Sequence, residues 1–317
     1  MNFLSIVKKY LKSVVSFFLK KSKYYNMPKS QWSTDRLIRH LKKGYFNDHG
    51  RELNIENPVY FTEKIQWYKV FYNNENLTRA VDKYLFKEYI AEKLGTGFTI
   101  PLFGVYDNVQ SLMDGWNALP DTFILKSTVQ SDGRFIKVIH SKKDVNLDNL
   151  VAELKDWFIP EKTLINSYCR AYYNAIPRII AEQYVEQIDN QLYDYKIFCF
   201  DGVPYCAYAA MDHFKNGING KDYPISFYDM EWNKRDVQYG HHKSDTIPKP
   251  IHFEQMKEIS KILSAEFPFV RVDFFDTEDK LYVAELTFYP GGGNTDYHPL
   301  SFDEELGKLF KLPELDN

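Results

Sequence analysis

The sequence predicts an α+β fold, in which helices and antiparallel strands follow one another in mixed order. Apolar residues recur at helical spacing from Ser33 to about Leu94. From Phe123 onward, short runs rich in β-branched and aromatic residues alternate with turn residues, and helical stretches return between them. Because the order is mixed and no segment repeats, the pattern favours α+β over a doubly wound sheet.

The helical part comes first, and Gly95 and Gly97 end it. Later, a capping box from Ser301 to Glu304 predicts the start of a final helix. The clearest helical runs are residues 61–72, 77–93, 147–157 and 253–267. The runs with strand character are residues 123–125, 135–139, 178–184, 193–200, 203–210, 270–275 and 281–288.

The composition is that of a globular chain with a substantial core. The 317 residues carry 40 Lys and Arg against 43 Asp and Glu, for a net charge of −3, and 44% of them are hydrophobic. This excludes a disordered chain and a strongly basic one, so we expect no nucleic-acid partner. Aromatic residues reach 17%, which reflects either an aromatic-lined polar cleft or a compositional bias.

The cysteines and the hydropathy pattern predict a cytoplasmic protein. Cys169, Cys199 and Cys206 are odd in number and lie in apolar or aromatic contexts, which is typical of buried thiols in a reducing compartment. No secretory signal is visible, and no run of about 18 apolar residues could span a bilayer.

Residues 1–23 differ in composition from the rest of the chain. Apolar residues recur there at helical spacing, and the segment contains six lysines and no acid. It is either a basic amphipathic helix on an anionic membrane surface or a helix packed on the body of the protein. We expect the first, with contact at the inner face of the membrane.

The most informative stretch is a predicted hairpin, in which the polar run 276–280 separates two strands. If the turn is centred on residue 279, Asp273 faces Glu285 and Arg271 faces Thr287 on one side of the ladder. The opposite side pairs Val272 with Leu286 and Phe274 with Ala284.

Two carboxylates directly across a ladder repel each other. Asp273 and Glu285 are therefore either a solvent-exposed pair near the hairpin end or the ligands of a divalent cation, and hard oxygen ligands favour Mg²⁺ or Mn²⁺. The run Gly291–Gly293 follows within one short loop, and glycine amides can approach an anion closely. Its position supports the metal site.

These residues resemble a known signature. Arg271-Val-Asp273, followed by Glu285-Leu-Thr287-Phe-Tyr-Pro290-Gly291, is similar to the R-x-D…E-x-N-x-x-P-G element of the ATP-grasp superfamily. The similarity is closest to its TupA-like branch, linked to teichuronopeptide and capsular polysaccharide synthesis. It implies that Asp273 and Glu285 hold Mg²⁺, or Mn²⁺, and that Arg271 steadies the transferring phosphate. Thr287, the third candidate ligand, replaces the usual Asn.

Two segments resemble the phosphate-binding parts of that superfamily. Asp82-Lys83-Tyr-Leu-Phe-Lys87 is similar to the D-K-x-x-x-K segment, whose first lysine reaches the nucleotide phosphates. Lys126 ends a strand, as does the lysine that contacts the α- and β-phosphates. Residues 127–134 would then be the phosphate loop, although they contain a single glycine.

The next segment resembles the adenine hinge. In Ile180-Ala-Glu182-Gln-Tyr-Val185, the resemblance implies that Glu182 reads the adenine amino group and that Val185 supplies a backbone contact. The ribose-binding acid is either Glu186 or Asp194, and Asp194 is favoured, with Lys196 as a further phosphate or substrate contact.

The implied architecture is an ATP-grasp fold, two α+β subdomains that grip the nucleotide, after a helical N-terminal region. The expected divisions are the basic helix 1–23, an N-terminal helical or α+β region 24–120, a small subdomain with the phosphate loop 121–185 and a C-terminal subdomain with the metal site 186–317.

The implied activity is that of an ATP-dependent carboxylate–amine ligase working through an acyl phosphate. We expect it to join an amine or amino acid to a sugar or glycan acid, lipid-linked or free, in cell-surface polysaccharide synthesis. Two alternatives stay open. One is a transferase on the same scaffold, either a sugar kinase or a glycosyltransferase, although Asp273 and Asp276 form no D-x-D element. The other is a non-catalytic peripheral membrane subunit.

Residues around the glycine run are candidates for acceptor contact by position. They are Tyr289, Gly291, Gly292, Asn294, Asp296 and His298. His298 and the pair His241-His242 are either acceptor contacts or a base, or ordinary loop histidines.

Overall fold

The computed structural model describes residues 32–129, 135–159, 170–172, 175–185, 193–211, 223–240 and 247–314. The expected basic helix 1–23, residues 130–134 of the expected phosphate loop, Cys169, Glu186 and the pair His241-His242 lie outside these residues. Among the helices so described, none combines the length and apolar character that a bilayer crossing requires.

From residue 32 onward, where the description begins, four helices precede the first strand. They are α1 (Thr34–His49), α2 (Phe61–Phe71), α3 (Leu77–Val81) and α4 (Leu85–Leu94). The predicted run 77–93 is thus two helices, because Asp82 interrupts it: its carboxylate accepts hydrogen bonds from the backbone N–H groups of Tyr84 and Leu85, at 3.0 and 3.1 Å. An acid that caps orphan N–H groups begins a new helix. This break sets Lys83 at the junction of α3 and α4.

A four-stranded antiparallel sheet follows, and we refer to it as the small sheet. Its strands are β1 (Leu102–Tyr106), β2 (Phe123–Ser127), β3 (Ile136–Ile139) and β4 (Ile179–Glu182), in the order β1-β4-β2-β3. Two further helices, α5 (Val109–Gly115) and α6 (Leu147–Leu154), cover it and share its own apolar core. Strand β1 lies ahead of residue 121, so this sheet draws on chain from both sides of that expected boundary, and the division into segments stays a prediction.

A six-stranded antiparallel sheet, the large sheet, carries the C-terminal half. Its strands are β5 (Tyr193–Phe200), β6 (Val203–Met211), β7 (Ile225–Tyr228), β8 (Lys234–Arg235), β10 (Phe269–Asp276) and β11 (Leu281–Thr287), in the order β11-β10-β5-β6-β7-β8. Strands β9 (Gln238–Tyr239) and β12 (Tyr297–His298) pair separately. The prediction of an α+β fold is confirmed.

Helices α7 (Phe253–Ser264) and α8 (Leu300–Leu309) pack in the apolar core that the large sheet shares with helices α1 to α4, which we call the main core. This core also contains Cys199 and Cys206 as buried free thiols. The predicted capping box at Ser301 is wrong. Pro299 is the residue that precedes α8, so Ser301 already lies inside the first turn and cannot cap it.

The register of the β10–β11 hairpin is the one predicted for three pairs: Arg271 with Thr287, Val272 with Leu286 and Asp273 with Glu285. The predicted pair of Phe274 with Ala284 is wrong, because a β-bulge shifts the ladder after Asp273 and pairs Phe274 with Val283. Ala284 is the extra residue of this bulge. Bulges next to functional sites redirect side chains, and this one lies beside both acids.

Candidate active site

Charged side chains converge on one face of the large sheet, and we call the four of them the strand cluster: Asp194, Lys196, Arg271 and Asp273. Asp273 on β10 lies directly opposite Lys196 on β5, whose Nζ is 3.1 Å from Asp273 Oδ2 and 3.4 Å from Asp194 Oδ2. Arg271 Nε and Nη2 donate to the two oxygens of Asp273 at 2.6 and 2.5 Å. The alternation of side chains along each strand therefore brings all four together.

Burial strengthens these contacts. Asp273 is 2% exposed and Arg271 8% exposed. Burial lowers the pKa of Lys196, but the carboxylates of Asp194 and Asp273 raise it by more, so its pKa lies above the usual value. The pKa of Arg271 is raised in the same way, mainly by Asp273 against desolvation. Both cations therefore keep their charge inside the protein.

The candidate metal ligands border the strand cluster. Glu285 lies opposite Asp273 and is half-buried, and Thr287 Oγ1 accepts a hydrogen bond from Arg271 Nη2 at 3.0 Å. Across the described part of the chain, no group of three or more His, Cys, Asp and Glu side chains could hold a metal ion. Two facing carboxylates fit a hard cation that takes its other ligands from substrate phosphates, as Mg²⁺ commonly does.

A second group of charges lies on the small sheet, and we call it the slot cluster: Lys87, Lys126 and Glu182. Lys87 Nζ is 2.5 Å from Glu182 Oε1, and Lys126 Nζ is 2.7 Å from Oε2. Burial raises the pKa of Glu182, but the two lysines lower it by more, so the pKa lies below its usual value and the carboxyl is ionised. Lys126 and Glu182 come from the neighbouring strands β2 and β4, whereas Lys87 reaches them from α4.

No role for Lys87 could be predicted from the sequence. The only signal was its spacing, since Lys83 and Lys87 are four residues apart and such residues share one helix face. In the structure Lys87 is fixed twice, because its Nζ also donates to the Ile100 carbonyl at 2.6 Å.

Lys83 lies between the two clusters. Its backbone N–H donates to Thr128 O at 2.9 Å, which fixes the start of α4 against the end of β2. Burial lowers the pKa of its ammonium, and the carboxylates of Glu285 and Glu182 oppose that shift. The pKa of Lys83 thus depends on one acid of each sheet.

A narrow slot of about 30 Å³ separates the sheets at this point. Its lining combines apolar walls with a charged edge: Lys83, Phe86, Lys87, Ile100, Lys126, Glu182, Val283 and Ala284. Such a volume holds about one or two waters, so a larger flat ligand requires the sheets to separate.

The glycine run forms a tight turn beyond β11. Gly291, Gly292 and Gly293 have φ of 56°, 63° and 65°, a left-handed conformation that side-chain-bearing residues rarely adopt. A Cβ at Gly291 would overlap the Tyr239 hydroxyl. The turn is therefore restricted to glycine by its backbone and by its neighbours.

Side chains of helices α1 and α2 donate hydrogen bonds to the backbone of this turn, and no pattern in the sequence predicted these contacts. Gln66 Nε2 donates to the carbonyls of Gly292 and Gly293, both at 3.0 Å, and Lys69 donates to Gly292 O. His49 Nε2 contacts Gly293 O at 3.0 Å, and His49 Nδ1 is 2.5 Å from Asp296 Oδ1. These pairs are more than 200 residues apart, so no local pattern could have indicated them.

The candidate acceptor residues lie at different depths around the turn. Tyr289 is buried, Asn294 is exposed and accepts from Gln66 Nε2 at 2.9 Å, and Asp296 is held by His49. His298 is exposed on β12. Val185 is half-buried just beyond β4, three residues after Glu182. Their roles stay predictions.

Comparison with known proteins gives a family and a set of distant structures. A family model described as TupA-like ATPgrasp matches residues 63–311. D-alanine–D-alanine ligase from Helicobacter pylori is 18% identical, with 80% of this chain and 68% of that one covered and a TM-score of 0.40. No match is found among curated proteins.

Two further structures are similar over shorter shares of their length. D-alanine–D-alanine ligase from Bacillus anthracis is 12% identical over 72% of this chain and 64% of that one, with a TM-score of 0.41. The biotin carboxylase domain of Hydrogenobacter thermophilus 2-oxoglutarate carboxylase is 15% identical over 66% and 40%, also with a TM-score of 0.41. The chain thus spans less than two thirds of either protein.

Proposed function

The chain belongs to the TupA-like ATP-grasp family, and from this premise we propose that it is an ATP-dependent carboxylate–amine ligase. One observation carries the proposal: Asp273 and Glu285 face each other across a ladder, beside the buried cations Arg271 and Lys196 and close to Lys83. Facing acids and converging cations are what a reaction between a polyphosphate and a carboxylate requires.

The proposed reaction has two steps. An acceptor carboxylate attacks the γ-phosphorus of ATP, the bond to the β,γ-bridging oxygen breaks, and ADP leaves. An amine then attacks the carbonyl carbon of the acyl phosphate, loses a proton and displaces inorganic phosphate to leave an amide. Both reactants of the first step are anions, so the side chains of Lys83, Lys126, Lys196 and Arg271 act by suppressing their repulsion. No enzyme nucleophile takes part.

The donor set fits Mg²⁺, or Mn²⁺, bound jointly by Asp273, Glu285 and the nucleotide phosphates. A bound divalent cation would neutralise phosphate charge as it develops in the transition state. For Asp273 to bind the metal ion, Arg271 or Lys196 has to release one of the two carboxylate oxygens of Asp273. The phosphates offer these cations an alternative anion, so nucleotide and metal are expected to enter together.

The substrate class rests on the family resemblance. We propose a sugar acid of a cell-surface polysaccharide, capsular or teichuronic, as acceptor and an amino compound as the nucleophile. Asn294, exposed beside the glycine turn, and the buried Tyr289 stay candidates for acceptor contact by their position in the chain. Residues 1–23 would bring the enzyme to a lipid-linked acceptor at the membrane surface.

The test is release of ADP and inorganic phosphate from ATP and Mg²⁺ over a panel of uronic acids and amines. We expect both products only when an acid and an amine are present together, and no turnover by E285Q, which removes one proposed metal ligand from a half-exposed position. ADP release with a sugar alone, without an amine and without free phosphate, would indicate a kinase. Turnover of a UDP-sugar without ATP would indicate a glycosyltransferase, and either result would overturn the ligase.

A further inference from the structure

The two lysines of the slot cluster are held differently. Lys87 donates to two acceptors, Glu182 Oε1 at 2.5 Å and the Ile100 carbonyl at 2.6 Å, and its side chain is 12% exposed. Lys126 contacts the other carboxylate oxygen, Oε2, from the end of β2, where the phosphate loop begins. Lys87 is thus held by a backbone carbonyl of the slot. Lys126, in contrast, lies beside the expected phosphate loop.

The two contacts will not both persist when a nucleotide binds. This step rests on the proposed function, in which Lys126 serves the phosphates. If Lys126 turns to a phosphate oxygen, it gives up Glu182 Oε2 and frees a lone pair on that oxygen. Lys87 has no reason to move, because the Ile100 carbonyl holds it in place.

We propose that Lys87 is a positioning residue that fixes the Glu182 carboxylate as a hydrogen-bond acceptor and thereby makes the slot select a base with an exocyclic amino group over one with an oxo group. An ionised carboxylate can only accept hydrogen bonds, so it pairs with the amino group of adenine and is repelled by the carbonyl oxygen of hypoxanthine.

Without Lys87, the buried Glu182 carboxylate would lose both of its ion-pair partners once Lys126 had left. Desolvation then favours the protonated acid, which carries a donor as well as an acceptor and accommodates either base. The selection therefore depends on a lysine that need not touch the nucleotide. Glu182 itself is 4% exposed, so solvent cannot replace the missing ammonium.

The experiment compares ATP with ITP, whose base has an oxo group at position 6 and a hydrogen on N1 where adenine has an amino group and an unprotonated N1. Binding to the full-length protein is measured by titration calorimetry with Mg²⁺ present. We expect the wild type to prefer ATP, and K87M to weaken ATP binding about tenfold while ITP binding changes little, so that the preference is largely lost. K87R, which keeps the charge, restores it.

The matched control is K93M, at the other end of α4, where Lys93 pairs with Glu266 away from the slot. It should leave both affinities unchanged. Equal weakening of ATP and ITP by K87M, or an unchanged preference, would overturn the inference, as would the absence of rescue by K87R. If K87M does not fold, K87Q is measured in its place, and an unchanged preference there overturns it too. Failure of the wild type to bind either nucleotide would instead overturn the proposed function itself.

Discussion

The strand cluster and the slot cluster are both groups of buried opposite charges, but they are built in different ways. Asp194, Lys196, Arg271 and Asp273 lie on two neighbouring strands of one sheet, and the ladder sets their spacing. In the slot cluster, Lys87 comes from α4, whose buried residues pack in the core of the large sheet, and its side chain contacts Glu182 on β4 of the small sheet.

This difference bears on how each cluster can respond to a ligand. The strand cluster has a bidentate Arg271–Asp273 pair within a hydrogen-bonded sheet, so it is expected to be rigid and to depend on all its members. The slot cluster joins separate elements across a narrow space, and its lysines are 12% and 16% exposed. When a nucleotide enters, Lys126 is expected to leave Glu182 while Lys87 stays.

The largest effect should come from Asp273→Asn in the strand cluster. The substitution keeps the shape but removes the charged partner of the buried Arg271 and leaves Lys196 with Asp194 alone, which we expect to lower the free energy of unfolding by about 3–5 kcal/mol. Chemical denaturation of D273N against the wild type measures it.

The matched control is Glu258→Gln. Glu258 pairs with Lys261 at 2.6 Å, but both side chains are more than half exposed. Its loss should change stability by no more than about 0.5 kcal/mol. If D273N lowered the free energy of unfolding as little as E258Q, the strand cluster would not be a rigid unit that depends on all its members.

The slot cluster should give a smaller effect. Glu182→Gln leaves Lys87 and Lys126 without their shared carboxylate, but Lys87 keeps its hydrogen bond to the Ile100 carbonyl and the side chain of Lys126 is 16% exposed, so we expect a loss of about 2–3 kcal/mol at neutral pH. Because the lysines lower the pKa of Glu182 from its ordinary 4.5, its contribution is complete above that pH and is lost as the pH falls through the folded-state pKa.

The stabilities of E182Q and the wild type should therefore converge in acid. Denaturation curves at neutral pH and at several values below pH 4.5 check this convergence. A difference that stays constant or grows in acid would show that the ionised carboxylate does not stabilise the fold.

The glycine turn tests how far rigidity extends beyond β11. Gly291→Ala combines a left-handed backbone with overlap of the Tyr239 hydroxyl and should cost about 2–3 kcal/mol. Gly292→Ala has a similar φ, but its nearest neighbour is Lys69 Nζ at 3.6 Å, so it should cost about 1 kcal/mol. Thermal unfolding of the two variants compares them, and equal losses would mean that Tyr239 does not constrain the turn.

The same contrast explains what could be predicted from the sequence. In the hairpin, one polar turn centre sufficed to place Asp273 opposite Glu285, because the period of a strand carries register over several residues. The bulge at Ala284 could not be predicted, since it reflects the packing of this strand and not its own alternation.

Contacts between residues far apart in the chain could not be predicted from local sequence patterns. Lys87 meets Glu182 across 95 positions, and Gln66 and Lys69 reach the glycine turn across more than 220. The aromatic fraction is partly explained by the same packing, since Tyr208 accepts from Arg271 at 3.2 Å and Tyr239 stacks on Tyr297 beside the turn.

The most direct test of the account is a crystal structure with a non-hydrolysable ATP analogue and Mg²⁺. We expect the base in the slot with its amino group on Glu182, Lys87 still on Oε1, Lys126 moved to the phosphates, and the metal between Asp273, Glu285 and the phosphates. A nucleotide bound outside the slot, or a metal remote from both acids while Arg271 still holds both oxygens of Asp273, would contradict it.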